Sequence, residues 1–366
     1  MADRHARPAL AAGLAVAMVV AASGRPAAPG AAAPESQGRG PATPYKLGTF
    51  AQGDRVFVGL VLDDTVVVDL TRADSSIPND MKALLARYDT LRGRLAAIAS
   101  AAAASRPAHA YDVKTLRVRP PVVPQNILNA AVNYVEHAQE MQGRGGATPQ
   151  AQKTPESIPG IWERKPGDTR HNPYVFVKPV GAVIGNGDAI RLPPGRDRID
   201  WECELAVVIG RVAERVPVER ARDYIAGYTL ENDVSDRGGR GDGRHGSDWF
   251  IGKGHTTFAP LGPYIVPKEF VPDPQKLAIK FPLSGKVMQD SSTERMTHNV
   301  YEMVSYVSHV LALQPGDIIA TGSPAGVGAA RDVFMKPGDL SVCTIERIGA
   351  LTNPVVGPPA ATSAAR

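Results

Sequence analysis

Residues 200–210, DWECELAVVIG, decide the reading of this chain. The apolar run into VVIG has the length and β-branched content of a buried strand. On a strand, residues two apart point to the same face, so Glu202 and Glu204 project together and Cys203 turns to the opposite, buried side. Two carboxylates held that close repel, and a cation placed between them is the simplest way to keep both ionised. Downstream, GYTLENDVSDR (227–237) is another β-like run whose Asp233 can supply a third oxygen. Three hard oxygen ligands with positions left for water and substrate suit Mg²⁺, Mn²⁺ or Ca²⁺ better than zinc. The plainer alternative is that Glu202 and Glu204 line the solvent face of an edge strand.

Outward from this strand the chain is β-rich. On the C-terminal side short β-branched runs alternate with Gly/Pro turns as far as SVCTIERIG (341–349), broken by one clear helix near 300–312. On the N-terminal side KLGTFAQGDRVFVGLVLDDTVVVDL (46–70) alternates apolar and polar residues between turn signals, which predicts two or three strands. A helix follows over 80–103, with Met81, Leu84, Leu85, Leu91 and Leu95 on one face. The Pro-rich break RVRPPVVPQN (117–126) separates a small domain, 45–115, from a second one over 125–356. The prediction is an α+β, β-rich architecture, not a doubly wound nucleotide fold. Residues 142–172 are polar, with Gly and Pro but little hydrophobic pattern, and read as a mobile insert or lid. Residues 357–366 read as a disordered tail.

The N-terminus reads as an export leader. Residues 1–24 carry Arg4 and Arg7 before an apolar run from Ala9 to Ala22, too short for a comfortable membrane span, with small residues after it. A Pro/Ala/Gly-rich linker follows over 25–44. The expectation is a periplasmic protein without a stable membrane span after processing; a start site placed too early would leave it cytoplasmic. The net charge of +4 argues against nucleic-acid binding, because half of the excess (Arg4, Arg7, Arg25 and Arg39 against Asp3 and Glu35) lies in the first 45 residues. With Cys203 and Cys343 as the only cysteines, a disulfide framework and a cysteine-based zinc site are excluded.

His137 and Glu140 are three apart in the helix-like NYVEHAQEM, so both lie on one face, where the carboxylate can orient the imidazole as a general base. A solvated surface pair would have the same spacing. These strings do not stand alone. NYVEHAQE (133–140), FVKP (176–179), VIGNGDAIRLPPG (183–195), DWECELAVVIG, GYTLENDVSDR, GKGHTTFAPLGP (252–263), QPGDIIATGSPAGVG (314–328) and KPGDLSVCTIERIGALTNPV (336–355) form an ordered set. In that order they resemble the fumarylacetoacetate hydrolase family over about 125–356.

The resemblance implies a mixed β-roll with a small N-terminal β-rich domain, a divalent metal on Glu202, Glu204 and Asp233, a small oxo-acid substrate, and a homodimer. It makes the His137–Glu140 helix a lid whose pair activates water. It gives Lys253 the task of stabilising an enolate, and makes Thr321-Gly322-Ser323 a substrate-binding turn whose last hydroxyl, that of Ser323, touches substrate carboxylate. Thr257 and Lys178 are weaker candidates. Asn133-Tyr134 offers no further acidic ligand, which favours the acylpyruvase and 2-hydroxyhepta-2,4-diene-1,7-dioate isomerase-like branch. This sequence departs from the family in GGRGDGRHGSDWF (238–250), where Arg240, Arg244 or His245 stands in place of the usual Gln or hydroxylated aromatic. An arginine facing the pocket there predicts a second substrate carboxylate.

The expected function is metal-dependent hydrolysis of the C3–C4 bond of a 2,4-dioxo acid. A 2-hydroxymuconate-type isomerase or an oxaloacetate decarboxylase on the same site is the alternative. An exported oxo-acid-binding protein with a decayed site is the alternative outside enzymology.

Overall fold

The computed structural model describes residues 43–142 and 155–358. The leader of 1–24, most of the linker, the first part of the insert and most of the tail lie outside the described residues. No helix among the described residues is long and apolar enough to cross a membrane.

The strand Cys203–Ile209 is buried at every position. It runs near the middle of a twelve-stranded mixed sheet, between Ile225–Asn232 and Ile318–Ala320, both antiparallel to it. Beyond Ile318–Ala320 come Ile127–Ala130, paired in parallel, and Val175–Lys178. A second, five-stranded sheet (Lys286–Ser292, Ala278–Leu283, Leu340–Ile345, Gly349–Val356, Ile190–Arg191) packs against it. Burial of both faces explains why the strand reads as a continuous apolar run instead of an alternating one. Leu205, Val207 and Ile209 pack into the core between the sheets, while Ala206 and Val208 enter a second core on the other side. The architecture is α+β and strand-rich, as the sequence predicts.

The N-terminal region differs from expectation in one respect. Over 46–70 it forms three strands, Lys46–Gln52, Arg55–Leu62 and Val66–Asp69, and a fourth, Ala110–Asp112, pairs with the last of them. The predicted helix is present as two, Met81–Ala86 and Tyr88–Ala104, interrupted at Arg87. Yet the 45–115 region is not closed on itself. Lys46–Gln52 pairs with Ala259–Pro267 at Leu47–Ile265 and so extends the large sheet. Its apolar residues Leu60, Leu84 and Leu95 share a core with Ala206, Val208 and Ile318. The Pro-rich break marks a chain crossing, and the hydrophobic interior runs across it.

Two further expectations need correction. Two cysteines are too few for a framework, but Cys203 and Cys343 form a single buried disulfide, their Cα atoms 5.3 Å apart. It ties the strand between the two glutamates to Leu340–Ile345 of the second sheet. The described half of the presumed mobile insert, 155–172, is packed down. Trp162 is buried edge-on against His298 and Tyr306, and Arg170 forks onto Asp168 and Glu302 at 2.9–3.0 Å. One aromatic and one arginine anchor this stretch, too few to leave a periodic signal.

Candidate active site and metal centre

The carboxylates meet because two neighbouring strands end together. Glu202 and Glu204 sit at the start of Cys203–Ile209, and Asp233 follows directly after Ile225–Asn232. The Asp233 amide donates to the Glu202 carbonyl at 2.8 Å, closing the corner. One oxygen from each of Glu202, Glu204 and Asp233 lies within 4.8 Å of the others, and all three residues are buried.

Lys253 enters from the short helix Trp249–Lys253. Its ammonium donates to Glu202 Oε2 at 2.5 Å and to Ser235 Oγ at 2.7 Å, and it pairs with Asp233. Lys178, fully buried, pairs with the other Asp233 oxygen and donates to the Val234 carbonyl at 2.9 Å. On its far side Glu202 accepts from Arg237 at 2.6 Å, and Arg237 also binds Asp200 at 2.8 Å.

Glu204 has no such cation partner among the described residues; Oε2 accepts from the Gly322 amide at 2.8 Å. Across the ladder it faces Glu231 directly, a like-charge pair that a sheet normally avoids. Burial, then Glu231, Asp233 and Glu202, push the Glu204 carboxyl well above its usual range. Burial also lifts Glu231 to about 8, against the pull of Lys178 and with a further push from Asp233. Glu202 goes the other way: burial would raise it, but Arg237 and Lys253 outweigh that and hold it well below. The cluster is thus short of positive charge at Glu204. Hard oxygen donors with one uncompensated carboxylate fit a divalent cation, which the three residues could hold.

The base stands beside this cluster. His137 and Glu140 lie on the helix Val135–Gln142, with His137 Nδ1 3.3 Å from Glu140 and Nε2 3.7 Å from Glu202 Oε1. Glu140 is itself fixed, because the Gly326 amide donates to both of its oxygens at 2.9 and 3.1 Å. Gly326 has φ +104°, and a Cβ there would lie 2.1 Å from the Met288 carbonyl oxygen, so only glycine brings that amide into place. The Gly-rich PAGVG turn (324–328) therefore serves to hold the orienting acid.

The remaining candidates divide. Thr321 is buried with its hydroxyl committed to the Leu205 carbonyl at 2.8 Å, and Thr257 Oγ1 accepts from the Arg191 amide at 2.9 Å. The Ser323 hydroxyl meets Gln289 at 2.7 Å. Arg240 lines a cleft of about 650 Å³ together with Arg237, Arg198 and Met141 of the His137 helix. Arg244 does not line that cleft; it is exposed and paired with Asp242 at 3.2 Å. Sequence reasoning missed Arg237 and Glu231. Arg237 follows Asp233 and Ser235 at steps of two, a same-face signal that was there to be read.

Comparison with known proteins gives the family. The family model for the C-terminal region of fumarylacetoacetate (FAA) hydrolase matches residues 126–356. The chain belongs to the fumarylacetoacetate hydrolase family. Among curated members of that family, it is 34% identical to the oxaloacetate tautomerase Fahd2a, mitochondrial, of Rattus norvegicus, over 79% of this chain and 84% of that protein. Among solved fumarylacetoacetate hydrolase relatives, it resembles 5-carboxymethyl-2-hydroxymuconate delta-isomerase from Mycobacterium smegmatis (32% identity, TM-score 0.61, covering 86% of this chain and 100% of that one). It also resembles maleylpyruvate hydrolase from Sphingobium sp. SYK-6, solved in complex with manganese(II) and pyruvate (28% identity, TM-score 0.64, covering 86% and 99%). Members of this family are enzymes, and those named here comprise a tautomerase, an isomerase and a hydrolase.

Proposed function

We propose that the chain hydrolyses the C3–C4 bond of a 2,4-dioxo acid of the acylpyruvate or fumarylpyruvate kind, with Mg²⁺ or Mn²⁺ (Ca²⁺ as a third fit) on Glu202, Glu204 and Asp233. The reading rests on the His137–Glu140 dyad set 3.7 Å from Glu202 over a buried carboxylate cluster, since a site that only binds has no use for an oriented base. A divalent cation there would polarise the 1-carboxylate and 2-oxo oxygens of such a substrate.

The chain's own groups do the rest. His137, aligned by Glu140, takes a proton from water as the water oxygen adds to C4. Collapse of the adduct breaks C3–C4, and the bonding pair passes to the 2-oxo group as the enolate of pyruvate. Lys253 supplies fixed positive charge for that enolate. The proton held by His137 goes to C3. Dioxo acid and water thus give pyruvate and the carboxylic acid derived from C4.

The kinship to an oxaloacetate tautomerase and a muconate isomerase supports a second reading, in which His137 moves a proton between C3 and the 2-oxo oxygen without water adding. Incubating the Mn²⁺-loaded protein with acylpyruvates, fumarylpyruvate, oxaloacetate and 2-hydroxymuconate separates the two. Pyruvate released from the acylpyruvates or fumarylpyruvate with loss of enol absorbance, and lost in His137→Ala by roughly 10²–10⁴-fold, is the expected result; pyruvate from oxaloacetate alone would mark decarboxylation instead. Absorbance loss without pyruvate replaces hydrolysis by tautomerisation, and no change with any substrate removes the enzyme reading. We also propose that the protein works outside the cytoplasm, a placement supported by the leader and by the Cys203–Cys343 bridge, which a reducing compartment would not maintain.

A further inference from the structure

The cleft beside the carboxylate cluster is ringed by arginines, and one of them differs from the rest. Arg198 pairs with Asp332 at 3.2 Å, and Arg237 with both Asp200 and Glu202. Arg240 has no carboxylate partner among the described residues. Its Nε donates to the Asp236 carbonyl at 2.7 Å, and Nη2 is shielded from water without any hydrogen-bond acceptor. A guanidinium never sheds its charge in a protein, so an unsatisfied buried N–H on it is costly unless something arrives to accept from it.

The surroundings hold this guanidinium in place. Its carbon lies 5.9 Å from the centre of the Trp249 ring, and a Cβ on Gly252 would come within 2.4 Å of it. Glycine at 252, on the helix bearing Lys253, leaves room for the guanidinium where a larger residue would push it aside. Burial, and then the neighbouring Arg237 charge, disfavour the Arg240 cation, an imbalance that an incoming anion would relieve.

We infer that Arg240 is a specificity-determining residue that receives a second carboxylate at the far end of the substrate, so that the preferred substrates are diacids carrying a 2-oxo-acid head. The inference rests on the oxo-acid reading of the metal site, and it excludes Arg244, which is solvated and already paired. Carboxylate recognition by a planar, pre-positioned guanidinium is bidentate and charge-assisted, and lysine reproduces only its charge.

The test measures binding, so it does not depend on which reaction the site performs. Calorimetric titration of the Mn²⁺-loaded protein would compare 2-oxoadipate with 2-oxohexanoate, which share the head group and carbon number and differ only at the terminal carboxylate. The wild type is expected to bind 2-oxoadipate about 10–100-fold more tightly, the range for one charge-assisted contact. Arg240→Gln should bring the two within about threefold and Arg240→Lys should keep part of the preference. A merely structural arginine would weaken both ligands alike. Equal affinities in the wild type, or a preference that survives Arg240→Gln, overturn the inference and leave the oxo-acid site standing. Failure of both ligands to bind the loaded wild type overturns the inference together with that reading.

Discussion

Along one face of the Cys203–Ile209 strand, Ala206 and Val208 lie in the apolar core that holds Leu60, Leu84 and Ile265. On the same face two residues earlier, Glu204 lies opposite Glu231 with no cation of its own, and Glu202 beyond it is bound by Lys253 and Arg237. The apolar half is complete without any ligand. The acidic half is not, because its carboxylates repel and burial denies them water. The tolerance of the second half depends on the first: a strand pinned by core packing on both faces can hold glutamates where they would not settle by themselves.

Exchanging substitutions between the halves gives the sharpest test and the largest effect. Glu204→Gln removes the ligand's charge and one of its two oxygens while relieving the repulsion, so Mn²⁺ affinity should fall by at least about 100-fold, more than losing an outer-shell partner costs. The metal-free melting temperature should hold or rise. Val208→Ala should instead cost roughly 1–3 kcal/mol in urea unfolding, with Mn²⁺ affinity kept within about threefold. Calorimetry and denaturation on both variants decide it. A Val208→Ala protein that loses metal as badly as Glu204→Gln would show that the two halves are not separable.

The disulfide sharpens the comparison from the opposite face. Cys203 points away from the carboxylates, and the bridge closes a loop across a sequence separation of 140 residues. A double Cys203→Ala, Cys343→Ala variant is expected to lose about 2–4 kcal/mol, mainly because the unfolded chain gains freedom. Its Mn²⁺ affinity should change by less than about tenfold, since the core holds the glutamates' strand without the bridge. A collapse of metal binding with little loss of stability would instead make the bridge a device for spacing Glu202 and Glu204.

What the sequence could show follows from the range of each signal. Local periodicity was enough for the strand at 203–209, the helix carrying His137 and Glu140, and the helix that begins at Val300, though the last ends at Ser308 and not near 312. The paired glutamates were legible because strand geometry alone sets their common face. The pairing of Leu47 with Ile265 was not legible, because an exposed-looking edge carries no mark of which distant strand covers it. The disulfide was missed for a similar reason: two cysteines 140 residues apart have no spacing to read. Glu231 looked like an ordinary strand residue until the ladder placed it against Glu204, whereas Arg237 shared a legible face with Asp233 and Ser235 but gained Glu202 as its partner only in the fold. Between Arg240 and Arg244 the sequence could not choose, since a Gly-rich loop has no period.

The smallest expected effect concerns pH and reads the acidic half directly. In the metal-free protein, burial with carboxylate neighbours raises Glu204 well above the usual range, and burial lifts Glu231 to about 8. The folded state therefore holds protons that the unfolded chain releases in the ordinary carboxylate range. The stabilisation from Glu231 is complete below that range and is lost as pH rises through about 8, and Glu204 acts in the same direction. Glu202, held well below its usual value, is ionised in both states above pH 6 and adds no slope there. His298, pushed down to about 4 by burial, produces a rise in stability with pH that ends near its unfolded value, so a window from about pH 7 to 9 is free of it. Across that window the melting temperature in EDTA should fall by a few degrees, and Glu231→Gln should flatten the fall. With Mn²⁺ present the order reverses, because the ligand carboxylates must lose their protons to bind, and the stabilisation by metal should widen as pH rises. A melting temperature in EDTA that climbs from pH 7 to 9 would mean that Glu204 and Glu231 are compensated within the fold. The acidic half would then be as complete as the apolar one.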